Sequence, residues 1–249
     1  MKTLKQHINE ALKIGNNLSE WSSYSCQPKT NKELKKIIKD RISKEGPNCD
    51  LNDIDVSQIT DMAYLFYESE FDGDISSWNV SNVKNMSHMF DESEFNGDIS
   101  KWNTSSVKNM QWMFYRSWFN DDISNWNVSK VENLGNMFQN SVFNGDISMW
   151  DVRNVTNMLG MFYDSKFNGD ISKWNVSSVK GMISMFNGSN FNKDISRWDV
   201  SKVENMVAMF AFSKFNQDIS NWKINKDCKT TDMFNNCQIK KEYKPKLPR

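Results

Sequence analysis

Histidine is nearly missing from this 249-residue chain, with two residues, His7 and His88, and cysteine and proline are scarce, with four each. His7 sits in the N-terminal segment and His88 at a variable position. With no Walker loop, nucleophile elbow or cluster of metal-ligand spacing beside them, the chain offers no recognisable catalytic or metal centre. It reads as not an enzyme and as needing neither cofactor nor metal. Excess charge is also lacking: 31 basic residues balance 31 acidic ones. A nucleic-acid binder usually carries a basic excess gathered on one face, so that class is set aside. No run approaches the eighteen or so apolar residues that span a bilayer. The opening MKTLKQHINEALKIG is punctuated by charges and lacks the apolar core and cleavage site of a secretory signal. The expectation is therefore a cytoplasmic or virion-associated protein without membrane insertion, reaching a surface only by a non-classical route. Cys26, Cys49, Cys228 and Cys237 form no CxxC and no zinc spacing; they read as reduced thiols, with a disulfide at either end left open.

Large side chains, by contrast, are plentiful: ten Trp, sixteen Phe and fifteen Met in a chain whose mean hydropathy is −0.69. They fall in a strict register. A 24-residue unit, F-N-G-D-I-S-x-W-N-V-S-x-V-x-N-M-x-x-M-F-x-x-S-x, begins at Phe71, Phe95, Phe119, Phe143, Phe167, Phe191 and Phe215 without insertion or deletion. A degraded copy, PNCDLNDIDVSQITDMAYLFYESE, precedes them at Pro47. Below, positions 1–24 count from the Phe that opens each unit. One unit cannot bury its own Phe, Ile, Trp, Val and Met, but a neighbour on each side can.

In the second half of the unit, Val83, Met86 and Phe90 recur at i, i+3 and i+7 with Met89 beside them, which predicts a short amphipathic helix capped by Ser81. The first half, D-I-S-x-W-N-V, predicts a short strand after an N-G turn. The expected fold class is thus an α/β repeat solenoid of the leucine-rich-repeat kind, with one short strand and one short helix in each of about eight coils. Residues 1–46 are expected to form a helical N-terminal cap from the patterns Leu4–Ile14 and Lys32–Ile42, the second introduced by Thr30 or Asn31. Residues 47–238 form the array. Residues 239–249, KKEYKPKLPR with the preceding Ile, are a basic tail.

The run S-x-F-N-G-D-I-S-x-W-[ND]-V-S-x-V-x-N-M-x-x-M-F resembles the BspA-like leucine-rich repeats, in particular the branch of Mycoplasma-lipoprotein-associated repeats. The resemblance covers residues 47–238. It implies a solenoid used for adhesion or protein binding on microbial or viral surfaces, and no catalytic residues. Many members carry a signal peptide or lipid anchor, and neither is seen in this sequence.

The Trp column (Trp78 through Trp222) and the Met pairs read as core. The Asp column (Asp74, Asp98, Asp122, Asp146, Asp170, Asp194, Asp218) would bring like charges close together; it reads as turn-capping, with calcium as the alternative. What varies between units are positions 17, 18, 21, 22 and 24, and in an array the variable positions face solvent or a partner. The richest set is Gln111, Trp112, Tyr115, Arg116 and Trp118, with His88, Tyr163 and Tyr67 at equivalent places and Met149 and Phe212 elsewhere. Trp, Tyr and Arg are the types that dominate binding hot spots. The expected partner-binding residues are Trp112, Tyr115, Arg116, Trp118, Met149, Tyr163 and Phe212. The partner is a protein, or alternatively a glycan; self-association as a structural or decoration subunit of a phage particle or other assembly is the competing reading.

Overall fold

The computed structural model describes residues 24–248. The expected helical pattern Leu4–Ile14 lies outside them. The second pattern forms α1, Asn31–Glu45, which starts where Thr30 accepts the Glu33 N–H through its side chain and stops at Gly46, whose φ is +90°. Leu34 and Ile38 are its buried face.

Beyond α1 the chain closes on itself every 24 residues. Parallel one-residue bridges link Asp61, Asn85, Asn109, Asn133, Asn157, Gly181, Asn205 and Lys229, all at position 15. Four side-chain and backbone columns then run through the array. Phe at positions 1 and 20 is at most 1% exposed from Phe66 to Phe215, and position-20 rings stack on their neighbours at 5.4–5.8 Å between centroids. Each Trp at position 8 is buried and donates its indole N–H to a carbonyl in the preceding unit, as Trp126 does to Ile99 at 3.0 Å. That bond spares a buried donor the cost of going unpaired. Asn at position 2 accepts, through its side-chain oxygen, the backbone N–H of the same position in the next unit, from Asn120 on Asn96 to Lys240 on Asn216.

Every Asp of the position-4 column accepts the backbone N–H of the Ser two residues on, at 2.8–2.9 Å. These bonds hold Asp146, Asp170, Asp194 and Asp218 below the ordinary carboxylate range. No group of three or more metal-ligating side chains exists among the described residues.

The helix and strand expected within each unit do not form. Among the described residues α1 is the one α-helix, and pairing between units never extends past single bridges. Positions 16–23 instead make two consecutive β-turns. In the second full unit the Met113 N–H reaches Met110 O and the Ser117 N–H reaches Phe114 O, each three residues back. The third residue of each turn, at positions 18 and 22, is left-handed in every unit, with φ between 48° and 69°. The intervening N–H groups, at positions 16, 18, 20 and 22, all point the same way. Met110, Trp112, Phe114 and Arg116 donate to Asn133, Gly135, Met137 and Gln139 of the next unit, and the pattern repeats from Met62 to Phe212. Two turns of four residues bury positions 16, 19 and 20 just as a helix would, so the apolar spacing alone could not separate the two. The bonds are made between units rather than within one, and it is this ladder that a helix would forfeit.

Cys49 and Cys228 are buried, Cys26 and Cys237 half-buried, and all four are free thiols. No helix of the described residues is long and apolar enough to cross a membrane.

Candidate functional site

The left-handed positions divide the molecule into two halves. Position 18 reads Tyr64, His88 and Trp112 in the first three units, then Asn136, Gly160, Ser184, Ala208 and Asp232. Position 22 reads Glu68, Glu92 and Arg116, then Asn140, Asp164, Gly188, Phe212 and Asn236. Most of the later residues suit the conformation, since Gly, Asn and Asp tolerate positive φ at little cost; Ser184, Ala208 and Phe212 are the exceptions. Bulky side chains there cost about 1–2 kcal/mol each.

In the first half those bulky side chains form a single surface cluster. Tyr64 and His88 stack at 4.3 Å with planes 9° apart, and Trp112 continues the column 5.8 Å from His88. Position 21 adds a second row: Tyr67 meets Tyr64 edge-on at 5.7 Å, and Tyr115 meets Trp112 edge-on at 4.7 Å. Arg116 lies over the Tyr115 ring at 5.1 Å and pairs with Glu92 at 3.0 Å. At the other end Lys35 of α1 lies 5.6 Å from the Tyr64 ring centre, so the cap helix borders the cluster. Tyr64 and Tyr67 are more than two-fifths exposed.

Between the two tyrosines of position 21 sits Asp91, a carboxylate only 4% exposed. His88 Nδ1 lies 2.6 Å from its Oδ2, while Oδ1 is buried without a partner among the described residues. Burial pushes the Asp91 carboxyl above its ordinary range, and the His88 contact pulls it back. Removing His88 takes away the opposing influence. A carboxyl whose folded-state pKa is raised loses stability as pH climbs from the unfolded value through the folded one. His88→Ala is therefore expected to be about 1–3 kcal/mol less stable than wild type at pH 8, with a smaller deficit near pH 4. Denaturant titrations at both pH values check this. Adding Asp91→Asn should flatten the pH dependence, and an equal deficit at both pH values would remove Asp91 as its cause.

Of the residues expected from sequence, Trp112, Tyr115 and Arg116 come together in this cluster. Tyr163 shares the position-21 column two units further on. Trp118 is 67% exposed at position 24 and enters none of the aromatic contacts. Met149, 74% exposed, precedes a Trp of the core beside Asp151 and Arg153, on another face. Phe212, 60% exposed, stands four units beyond Arg116 in the left-handed column. These seven residues do not make one site. Tyr64, Asp91 and Lys35 belong to the cluster and were not singled out. The aromatic run at position 18 in three successive units was the available signal for Tyr64, whereas Asp91 and Lys35 become visible only once units and α1 are stacked.

The family model described as Mycoplasma protein of unknown function, DUF285, matches residues 32–144 and again residues 136–245. The chain belongs to this family. No curated protein and no solved structure matches it. In this DUF285 chain the first matched stretch takes in nearly all of α1 and the whole aromatic cluster, and the second takes in the units whose left-handed residues, Phe212 apart, are small or polar. The two DUF285 stretches share their buried columns, so the cluster is a property of the first stretch and not a requirement of the repeat.

Proposed function

We propose that the chain is a non-enzymatic binding module, a repeat solenoid related to the BspA-like leucine-rich repeats, that engages a protein partner through the cluster Tyr64, Tyr67, His88, Trp112, Tyr115 and Arg116. The 24-residue register and the unit-to-unit bonds support the solenoid reading. One observation carries the binding reading: bulky side chains occupy left-handed positions that later units, Phe212 apart, fill with Asn, Gly, Ser, Ala or Asp while making the same bonds.

Magnitudes decide between stability and function. Tyr64 and Trp112 in the left-handed region cost about 2–4 kcal/mol together, while His88 tolerates it better. The close Tyr64–His88 stack returns about 0.5–1.5 kcal/mol, and the exposed Arg116–Glu92 pair about 0–1 kcal/mol. The His88–Trp112, Tyr64–Tyr67 and Trp112–Tyr115 pairs return about 0.5–1.5 kcal/mol each as well, so the contacts roughly offset the strain and stability alone does not select these side chains. Strain of this kind, held by an otherwise rigid scaffold, marks functional surfaces, and Tyr, Trp and Arg are the types that anchor partners.

The double variant Tyr64→Asn/Trp112→Asn tests this. Asn accepts positive φ but gives up the ring contacts, so folding stability should stay within about 1 kcal/mol of wild type. Tagged wild type and variant are compared by cross-linked capture from the cells that make the protein, with denaturant titration as the fold control. A partner captured by wild type and absent from the equally stable variant supports the reading. A partner captured by both moves the site elsewhere, and capture of nothing but further copies of the chain favours the structural-subunit reading.

A further inference from the structure

The unit-to-unit ladder has a direction, and its two ends differ. At positions 16, 18, 20 and 22 every N–H points towards the C-terminal end, and the carbonyls of positions 15, 17, 19 and 21 point back. At the N-terminal end α1 meets the carbonyls: Asn31 Nδ2 donates to Asp61 O at 3.1 Å and to Ala63 O at 3.2 Å. At the C-terminal end the last acceptors in use are Lys229, Thr231, Met233 and Asn235. The next N–H groups, on Thr230, Asp232, Phe234 and Asn236, make no hydrogen bond to any described residue. They form a row of backbone donors with no backbone acceptor between them, and the exposed Asp232 carboxylate is the one acidic side chain on the row.

A second observation bears on the same end. From Lys223 to Lys246 the chain carries seven lysines against three acidic residues, in a molecule that is neutral overall. Position 15, Asn in five of the eight units, is Lys229 here. Lys244 lies 5.3 Å over the ring of Phe234. That ring is half-buried, whereas its counterparts from Phe66 to Phe210 are at most 1% exposed. The end therefore adds lysine charge to aligned peptide donors, where α1 at the opposite end brings a donor to carbonyls.

We propose that this end face binds an extended acidic peptide segment of another protein, its carboxylates on the Thr230, Asp232, Phe234 and Asn236 N–H row and an apolar side chain against Phe234. An ordinary β-strand alternates donors and acceptors along its edge and cannot satisfy a donor-only row. Carboxylates supply acceptors alone, and successive N–H groups around left-handed residues are a known cradle for anions. A second copy fits less well, because α1 stands against the complementary carbonyls of Asp61 and Ala63 through Asn31. The half-buried Phe234 ring, less covered than its counterparts, favours a peptide over a bare phosphate. The reading is independent of the aromatic cluster, which lies on the first three units.

Residue-resolved amide exchange on the full chain, with a synthetic dodecapeptide of alternating Glu and Leu, tests it. In the free chain the four amides should exchange fast while those of Met206, Ala208, Phe210 and Phe212, which are bonded, exchange slowly. The peptide should slow the four, a Gln–Leu peptide should not, and Lys229→Glu/Lys244→Glu should weaken binding by roughly three- to tenfold with salt acting in the same direction. Slow exchange at the four amides before any peptide is added would overturn the proposal. So would equal binding of the Gln–Leu peptide, or protection by tripolyphosphate that the acidic peptide fails to match.

Discussion

Phe138→Ala is expected to lower folding stability by about 3–5 kcal/mol. Its ring is fully buried, packs on Phe143 at 4.3 Å, and is stacked between Phe114 and Phe162 at 5.7 and 5.8 Å. No side chain can swing into the hole, because each neighbour is held in its own column by an identical partner above and below. An array whose units touch only the next ones transmits such a loss along the stack, since the coupling between the fourth and fifth units holds the two halves together. Phe234→Ala removes the same side chain where one neighbour is missing and the ring is half-buried, and its cost should be less than half as large. Equilibrium denaturation of the two variants beside wild type gives both numbers. Equal losses would mean that the ring columns do not couple the units.

The columns that make this prediction were legible in the sequence because they rest on repetition: an apolar residue at the same place in each unit has nowhere to go but the interior. The cap helix was legible for a local reason, Thr30 ahead of a 3.6-residue apolar pattern. The conformation of positions 16–23 was not. Met, Met and Phe at i, i+3 and i+4 satisfy both a helix and a pair of turns, and the periodicity has no term for bonds that leave the unit. The discriminating signal lay in the residues between. Asn136, Asn140, Gly160, Asp164 and Gly188 sit where a helix would want Ala or Leu and where a left-handed residue wants Gly, Asn or Asp. At Gly160 a Cβ would come within 2.2 Å of Asn136 Oδ1, so that position is closed to any side chain unless Asn136 moves. The aromatic column of position 18 has already ended at Trp112, one unit before Asn136. The candidate site was half legible for the same reason: Trp112, Tyr115 and Arg116 share one unit and His88 holds an equivalent position, whereas Asp91 and Lys35 join them only through stacking.

Leu34→Asp should cost at least 3 kcal/mol, as a carboxylate placed where the native side chain is fully buried has no partner there. The stronger expectation concerns where the damage spreads. α1 covers the apolar end of the first unit with Leu34 and Ile38, its Asn31 amide occupies two outward carbonyls, and Arg41 holds Asp53 through two contacts of 3.0 Å. If α1 serves as the lid of the stack, losing it exposes an interior face and takes the Asn31 donor away from the Asp61 and Ala63 carbonyls. Amide protection should then fall first at Met62, Tyr64, Phe66 and Glu68, the donors of the first unit, and decay along the ladder towards the later units. Lys36→Asp, on the exposed side of the same helix, changes charge without touching that face and should leave the pattern intact. Exchange measured on both variants separates a lid from an appendage. Loss confined to α1 itself would show that the array closes without it. Loss that starts at the first unit and fades with distance would show that the stack needs a covered end, and it would also cut binding at the aromatic cluster, because Tyr64 rests against Lys35 of the same helix.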